Sequence, residues 1–399
     1  MSTFAITIVW HRKYEAGRTI AEALAGQFEG AEDEINSAGL SIPVRIRCEG
    51  RDPKFPDSPP LDIETGSDIV NFVVLLVESD LVSAFANGWS SFADALWKER
   101  TAHPERMRVL PIRLGTHAEI PPFAGIQAYA TSLFPGAGPA DPVWMRRLVL
   151  TVVAHFADYL RAIDRSARDQ SIPVDEDTDR FKLFLSHAKR DGLGVANAIK
   201  KHLSCNNYGV ESFFDAEDLK AGLNYQNSFT SAIRKGAVVV IRSDAYSSRP
   251  WCRWETLEGK RLGRPIVVLD FLRDSERRGN PYGGNVPALR LADLPADDSP
   301  ELDRAILAIM TEAVRILVWN MRVPALANAV PAGYRDWEIR ILPRPPELVD
   351  IANLRLESKD ARFAVIHPGP PVTQAEDALI KAIGGDLVMF APSDLGVAL

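Results

Sequence analysis

One stretch of the chain decides the fold, and it opens with FKLFLSHAKRDG (181–192). Three further segments follow in order: ESFFDAEDLKAGLNYQNSFTSAI (211–233), VVVIRSDAYSSRPWCRWETLEG (238–259) and RPIVVLDFL (264–272). Each segment contains a short run of apolar, aromatic or β-branched residues, which is typical of a β-strand. Stretches with helical spacing alternate with these strands, and GLGVANAIKKHL is the first of them. Because strands that alternate with helices form parallel sheets, we predict an α/β fold with helices on both faces of the sheet.

The composition of the whole chain limits its class. With 399 residues, the chain has room for two or three domains. It carries 46 lysines and arginines against 53 aspartates and glutamates, so it lacks the basic excess of a general nucleic-acid or anionic-membrane binder. Cys48, Cys205 and Cys252 show neither CxxC nor CxH spacing, which argues against a zinc site or a disulfide framework and fits a reducing cytosol. The N-terminal residues lack the layout of a signal peptide, and no apolar run has the roughly 18 residues of a membrane span, so we expect a cytoplasmic protein.

The alternation of strands and helices also occurs earlier in the chain. This first unit ends in a long amphipathic helix that carries Leu148, Val152 and Phe156 on one stripe. A polar, acidic segment follows the helix. After a second such unit, the last part of the chain reads as a short strand–helix–strand module in which Thr373 and Glu376 form a capping box. We therefore predict parallel-sheet, three-layer domains at 1–166 and 181–322, a linker at 167–180 and a small C-terminal α/β module at 323–399.

The first two units align with each other, which indicates an internal duplication. NFVVLLVESDLVSA in the first unit lies against AVVVIRSDAYSSR in the second. The alignment pairs His11 with His187, Ser79 with Ser243, Asp80 with Asp244, Trp89 with Trp251 and Ala93 with Glu255. The first unit therefore lacks a carboxylate where the second has Glu255. Asp94 is the nearest acid, and one residue corresponds to about 100° around a helix.

Polar and aromatic side chains follow the predicted strands of the second unit at their carboxyl ends. In an open parallel sheet, ligands bind in the crevice at this edge. Trp251 and Glu255 are four residues apart and share one face of a helix, so an indole and a carboxylate lie side by side. These groups suit a planar heterocycle and developing positive charge on a sugar. The other residues expected at this edge are Ser186, His187, Lys189, Arg190, Asp191, Phe214, Asp215, Leu219, Ser243 and Tyr246.

The segments FLSHAKRDG, FFDAEDLKAG and SDAYSSRPWCRWE resemble the first strand, the BB loop and the WCxxE helix of TIR domains. The resemblance extends over residues 181–272 and implies two flavodoxin-like (TIR-like) domains, of which the first is degenerate. It further implies an enzyme that cleaves the nicotinamide–ribose bond of NAD, with NAD as the substrate and without a cofactor or metal. Glu255 matches the family's catalytic glutamate, which would hold the ribose hydroxyls and stabilise an oxocarbenium-like transition state. The other residues at the strand ends would bind the substrate.

The resemblance also implies how such a protein acts in the cell. Many bacterial TIR proteins take part in anti-phage defence, and they either deplete NAD or make a cyclic ADP-ribose signal. Catalysis in the family usually requires self-association through TIR domains, because the BB loop of one domain completes the site of the next. An upstream defence protein or a nucleotide signal would then be a further partner, and the first unit would serve as a scaffold or in recognition.

Three other functions remain open at the level of the sequence. The protein could be a non-catalytic TIR scaffold that acts by homotypic contacts. It could also be a nucleotide-sugar or base-processing enzyme similar to nucleoside 2-deoxyribosyltransferases, although the WCxxE helix and the BB-like loop speak against this. A sensor whose C-terminal module binds a nucleotide signal is compatible with the enzyme and cannot be separated from it by sequence.

Overall fold

The computed structural model divides the chain into two compact units, Ser2–Asp179 and Arg180–Leu399. It describes residues 3–29, 40–66, 68–115, 123, 128–168, 173–174, 180–206, 208–213, 225–276, 278–297, 299–370 and 372–396. Among the helices in these ranges, none is both long enough and apolar enough to cross a lipid bilayer.

The first unit is a parallel five-stranded sheet with the strand order β2-β1-β3-β4-β5. Its strands are β1 (Thr3–Val9), β2 (Val44–Arg47), β3 (Ile69–Val77), β4 (Met107–Arg113) and β5 (Tyr129–Ala130). Its helices include α1 (Ala16–Phe28), α2 (Ser79–Ser83), α3 (Trp89–Ala102) and α4 (Pro142–Arg168). Strand β3 is buried along almost its whole length, as expected for a central strand that is covered on both faces. The predicted stripe of α4 is also buried, with Leu148, Val152 and Phe156 fully inside.

The second unit begins with a sheet of the same topology, in the order β7-β6-β8-β9-β10. Its strands are β6 (Phe181–His187), β7 (Val210–Phe213), β8 (Gly236–Arg242), β9 (Ile266–Asp270) and β10 (Ala288–Arg290). Its helices include α5 (Leu193–Asn206), α6 (Tyr225–Arg234), α7 (Pro250–Arg261) and α8 (Pro300–Asn328). Gly236 lets β8 start close to β6, since a Cβ atom there would collide with the carbonyl oxygen of Lys182. The flavodoxin-like strand order of both sheets confirms the predicted fold class.

A third, smaller parallel sheet completes the second unit, in the order β11-β12-β13. It consists of β11 (Glu338–Ile341), β12 (Phe363–Ile366) and β13 (Leu387–Phe390), with helices α9 (Leu348–Glu357) and α10 (Gln374–Gly384). The predicted capping box of Thr373 and Glu376 is present at the start of α10. Helix α8 packs against β8 and β9, and its later residues Trp319 and Leu326 enter the core of the third sheet. One continuous helix therefore joins the two sheets of this unit.

Candidate functional site

The candidate site lies where the strand order of the second sheet reverses. Strand β6 has β7 on one side and β8 on the other, and open α/β sheets bind ligands at such a point. Ser186 and His187 end β6 beside Val240 and Ile241 of β8, and Ser243 follows β8 directly. The parallel register thus brings the polar ends of two strands to one edge of the sheet.

A hydrogen-bond network at this edge holds the Glu255 carboxylate. The Ser186 hydroxyl donates to Glu255 Oε2 at 2.5 Å, and it lies 2.6 Å from the hydroxyl of Tyr246. The Tyr246 hydroxyl oxygen also lies 3.1 Å from the carbonyl oxygen of Cys252. All these groups are buried, and Glu255 is only 7% exposed. The carboxylate is therefore fixed in a low-dielectric setting, where its charge acts more strongly than in water.

Burial and the nearby Glu255 charge both raise the pKa of the Tyr246 phenol well above its ordinary value. The phenol consequently stays protonated across the physiological range and remains a hydrogen-bond donor. The protonated phenol of Tyr246 can donate a hydrogen bond to Ser186 Oγ while the Ser186 hydroxyl donates to the Glu255 carboxylate. The network therefore orients the Glu255 side chain through Ser186.

The position of each residue along helix α7 determines whether its side chain is buried or exposed. It begins at Pro250, whose fixed φ suits the first position of a helix, and Arg249 precedes it in an extended conformation. Cys252, Glu255 and Thr256 then form a buried stripe at i, i+3 and i+4.

Trp251 lies outside this stripe and is 49% exposed. Its ring contacts Trp254 and Phe229, with centroid separations of 5.4 and 6.1 Å. Trp251 therefore offers an aromatic surface to solvent, whereas Glu255 faces the interior.

Asp191, which follows β6, connects the end of β6 with the segment that follows β8. Its carboxylate accepts hydrogen bonds from the Ser243 hydroxyl at 2.5 Å and from the Ala245 amide at 2.9 Å. Ser243 was predicted to bind substrate, and in the structure its hydroxyl donates to Asp191. Arg190 and Asp191 also line a neighbouring cavity of about 1000 Å³, which neither Trp251 nor Glu255 lines.

Three further predicted residues, His187, Lys189 and Arg190, lie at or just after the end of β6. The buried His187 ring places Nδ1 2.9 Å from the carbonyl oxygen of Leu185 in its own strand, and Lys189 and Arg190 are exposed. Phe214, Asp215 and Leu219 lie outside the described residues.

Sequence reasoning missed Thr256 and Asn280. The Thr256 hydroxyl lies 3.1 Å from the Tyr246 hydroxyl and accepts a hydrogen bond from the Asn280 amide at 3.1 Å. Thr256 could have been found from its position four residues after Cys252 on the buried stripe of α7. Asn280 gives no such signal, because it reaches the network from a loop.

Helix α3 of the first unit, which the alignment sets opposite α7, can be compared with α7 by its buried residues. In the first unit, the helix residue that contacts the histidine after the first strand is Trp89, whose ring lies 5.7 Å from that of His11. In the second unit this contact is made by Cys252, whose thiol donates to the carbonyl oxygen of His187. The buried positions are Trp89, Phe92, Ala93 and Leu96 in α3, and Cys252, Glu255, Thr256, Glu258, Gly259 and Lys260 in α7.

The predicted alignment pairs Ala93 with Glu255. The burial patterns match more closely when Trp89 is set opposite Cys252, which sets Phe92 opposite Glu255. Asp94 is exposed, so it cannot supply the missing carboxylate. In either register the first unit has no acid at this position.

Comparisons with known proteins locate one family within the chain. Residues 183–306 match the family model of the TIR domain, which confirms the resemblance for this segment. No curated protein matches the chain. A solved structure of a "putative sugar binding protein" from Salmonella typhimurium LT2 is 12% identical and covers 62% of this chain and 89% of its own. Its TM-score of 0.21 is too low to support any conclusion about fold or function.

Proposed function

We propose, from the TIR domain at residues 183–306, that this protein is an NAD glycohydrolase. The reaction cleaves the nicotinamide–ribose bond and yields nicotinamide with ADP-ribose or a cyclic isomer. The observation that carries the proposal is the buried Glu255 carboxylate, held by Ser186 at the point where the strand order reverses.

The chemistry of the bond explains why a fixed carboxylate is useful. When the bond between ribose C1′ and the pyridinium nitrogen breaks, its electron pair goes to nicotinamide, which leaves as a neutral molecule. Positive charge then develops on C1′ and the ring oxygen of the ribose. A carboxylate that is already oriented stabilises this charge without reorganisation, as in glycosidases. Water then adds to C1′ and releases a proton to solvent to give ADP-ribose, or a nitrogen of the adenine adds to give a cyclic product.

Other side chains at this edge suit the rest of the NAD molecule. The exposed indole of Trp251 can stack on the nicotinamide ring, and the positive charge of that ring strengthens the contact. Lys189 and Arg190 are exposed after β6, where their charges can attract the diphosphate. These groups follow the same strand ends, β6 and β8, that Glu255 packs against.

The cellular role follows from the same proposal. NAD cleavage would act in bacterial anti-phage defence and would take place in the cytoplasm. Self-association through TIR domains would complete the site, with an upstream defence protein or a nucleotide signal as the trigger. The first unit would be a degenerate TIR-like copy with a scaffold or recognition role.

The test is nicotinamide release from NAD by the full chain at high concentration with a crowding agent. The matched variants are Glu255→Gln and Glu258→Gln, since both residues are buried carboxylates on α7. We expect release by the wild type and by Glu258→Gln, and a loss of at least about 100-fold in Glu255→Gln. Equal release by the Glu255 variant would contradict the role of Glu255.

A second candidate function is a non-catalytic TIR scaffold. The low exposure of Glu255 in the single chain favours it, because a substrate must reach the carboxylate. Concentration-dependent self-association without NAD cleavage at any concentration would support the scaffold over the enzyme.

A further inference from the structure

Helix α7 also carries a buried basic residue, Lys260, five residues after Glu255. The Lys260 side chain is 2% exposed, its Nζ donates to the carbonyl oxygen of Gly284 at 2.7 Å, and it pairs with Glu347 at 2.5 Å. Burial lowers the pKa of the ammonium group, and the bond to Glu347 opposes that effect. A buried ammonium group persists only with such partners, so the position of this end of α7 depends on Glu347.

Glu347 ends the connection between β11 and α9, and we call the last five residues of this connection, 343–347, the strap. Three of its five residues are prolines, so it is stiff. The buried Arg344 in the strap donates to the carbonyl oxygen of Arg264 at 2.8 Å, shortly after α7 ends. The carbonyl oxygen of Pro345 accepts from the side chain of Asn285 at 3.3 Å. The strap therefore holds both the end of α7 and the loop at residues 280–285.

The loop at residues 280–285 also reaches the Glu255 network. Asn280 at one end donates to Thr256, which lies 3.1 Å from Tyr246. Gly284 and Asn285 at the other end contact Lys260 and the strap. A continuous set of hydrogen bonds and short covalent segments thus connects the third sheet with the carboxylate of Glu255.

From these contacts we infer that Glu347 is a positioning residue, which holds helix α7 through Lys260 and so sets the place of Glu255. The third sheet then supplies no group to the substrate and acts by bracing the helix that carries the carboxylate. The effect on catalysis rests on the proposed function, whereas the effect on the helix does not.

The consequence of breaking the pair follows from the burial of Lys260. Without the Glu347 carboxylate, the ammonium group must draw in water or turn outward, and either change displaces the last turns of α7. Five residues of a helix span about 7.5 Å, and a helix moves as a stiff body, so the displacement reaches Glu255. If both charges are removed together, this cause of displacement disappears.

The test compares three variants of the full chain: Glu347→Gln, the double variant Lys260→Met/Glu347→Gln, and the control Glu338→Gln. Glu338 is an exposed residue of the third sheet that pairs with Arg340. Hydrogen exchange of the backbone amides of residues 250–261 reports the state of α7, and steady-state nicotinamide release reports catalysis.

In Glu347→Gln we expect exchange in α7 to become about tenfold faster and kcat to fall about tenfold with little change in KM. The double variant restores both towards the wild type, and Glu338→Gln changes neither. A purely structural loss of folded protein would instead lower activity and protection throughout the unit in proportion.

Unchanged exchange of α7 in a folded Glu347→Gln protein would overturn the inference. Failure of the double variant to restore α7 would also overturn it, because the pairing of charges would not be the cause. If Glu347→Gln does not fold, Glu347→Asp is measured, because its shorter side chain draws the carboxylate away from Lys260 Nζ; faster exchange at the end of α7 is expected, and unchanged exchange would contradict the inference. If the wild type releases no nicotinamide, the proposed function fails, and the exchange measurement still decides the role of Glu347.

Discussion

The Ser186 hydroxyl donates a hydrogen bond of 2.5 Å to the Glu255 carboxylate, although the two residues are 69 positions apart. Ser186 lies near the end of β6 and Glu255 in the middle of α7, so this bond fixes the helix to the edge of the sheet. It also sets the orientation of the carboxylate before a substrate binds. A catalytic role for Glu255 therefore depends on Ser186 as well.

Ser186→Ala should lower kcat for NAD cleavage by about 10- to 100-fold with a smaller change in KM. The reason is that the carboxylate loses the donor that orients it, while the groups at the surface of the site are unchanged. Ser204→Ala serves as the control, because Ser204 is exposed on α5 and its hydroxyl donates to the carbonyl oxygen of Lys200 in the same helix. A Ser186 variant with wild-type kcat would show that this bond does not orient the carboxylate.

Tyr246→Phe should reduce the free energy of unfolding by about 1–3 kcal/mol. The phenol is fully buried and bonds to Ser186, Cys252 and Thr256, so its removal leaves buried polar groups without a partner. Urea denaturation measures the change. Tyr334→Phe is the matched control, since Tyr334 is only half-buried, and equal losses in both variants would contradict the network's contribution.

The two aligned tryptophans should behave differently when each is replaced by alanine. Trp89 is 2% exposed and packs against His11 and Phe92, so Trp89→Ala should cost about 3–5 kcal/mol of stability. Trp251 is half exposed, and Trp251→Ala should cost much less and raise KM for NAD about tenfold. Thermal unfolding and steady-state kinetics separate the two effects. A large loss of stability in Trp251→Ala with unchanged KM would mean that this indole is a core residue.

Glu78→Gln should remove a pH-dependent part of the stability of the first unit. Burial raises the pKa of Glu78 to about 7, against 4.5 ordinarily, even though its carboxylate accepts the amides of Asp80 and Leu81. Because the folded state holds this proton more tightly, its stabilisation is complete below pH 4.5 and is lost as the pH rises through about 7.

The free energy of unfolding of the wild type minus that of Glu78→Gln should therefore fall by about 1–3 kcal/mol between pH 5 and 8. Urea denaturation at several pH values measures this difference, and other titrating groups cancel in it. A difference that does not change with pH would contradict the raised pKa.

The sequence predicts the main strands well because their apolar runs are long, as in β3 and β8. It does not predict β5 and β10, which have two and three residues and too few side chains for a pattern. Ser186, Tyr246 and Glu255 could each be proposed from their places at strand ends or on α7. Their mutual hydrogen bonds could not, because they depend on the packing depth of α7 against the sheet.

Two features show where sequence reasoning reaches its limit. The alignment pairs Trp89 with Trp251 because the residue type is the same. In the folded chain Trp89 is buried, as Cys252 is, whereas Trp251 is half exposed. Lys260 and Glu347 are 87 residues apart and lie in separate predicted domains, so their pairing becomes visible only in the folded chain.

The most direct measurement is a proton NMR time course of NAD with the full chain at increasing protein concentration, for the wild type and for Glu255→Gln. We predict that free nicotinamide appears with the wild type, at a rate that rises more steeply than the protein concentration, and that the variant leaves NAD intact. Equal cleavage by both proteins, or cleavage of the diphosphate instead of the nicotinamide–ribose bond, would contradict the assignment of Glu255 as the catalytic carboxylate.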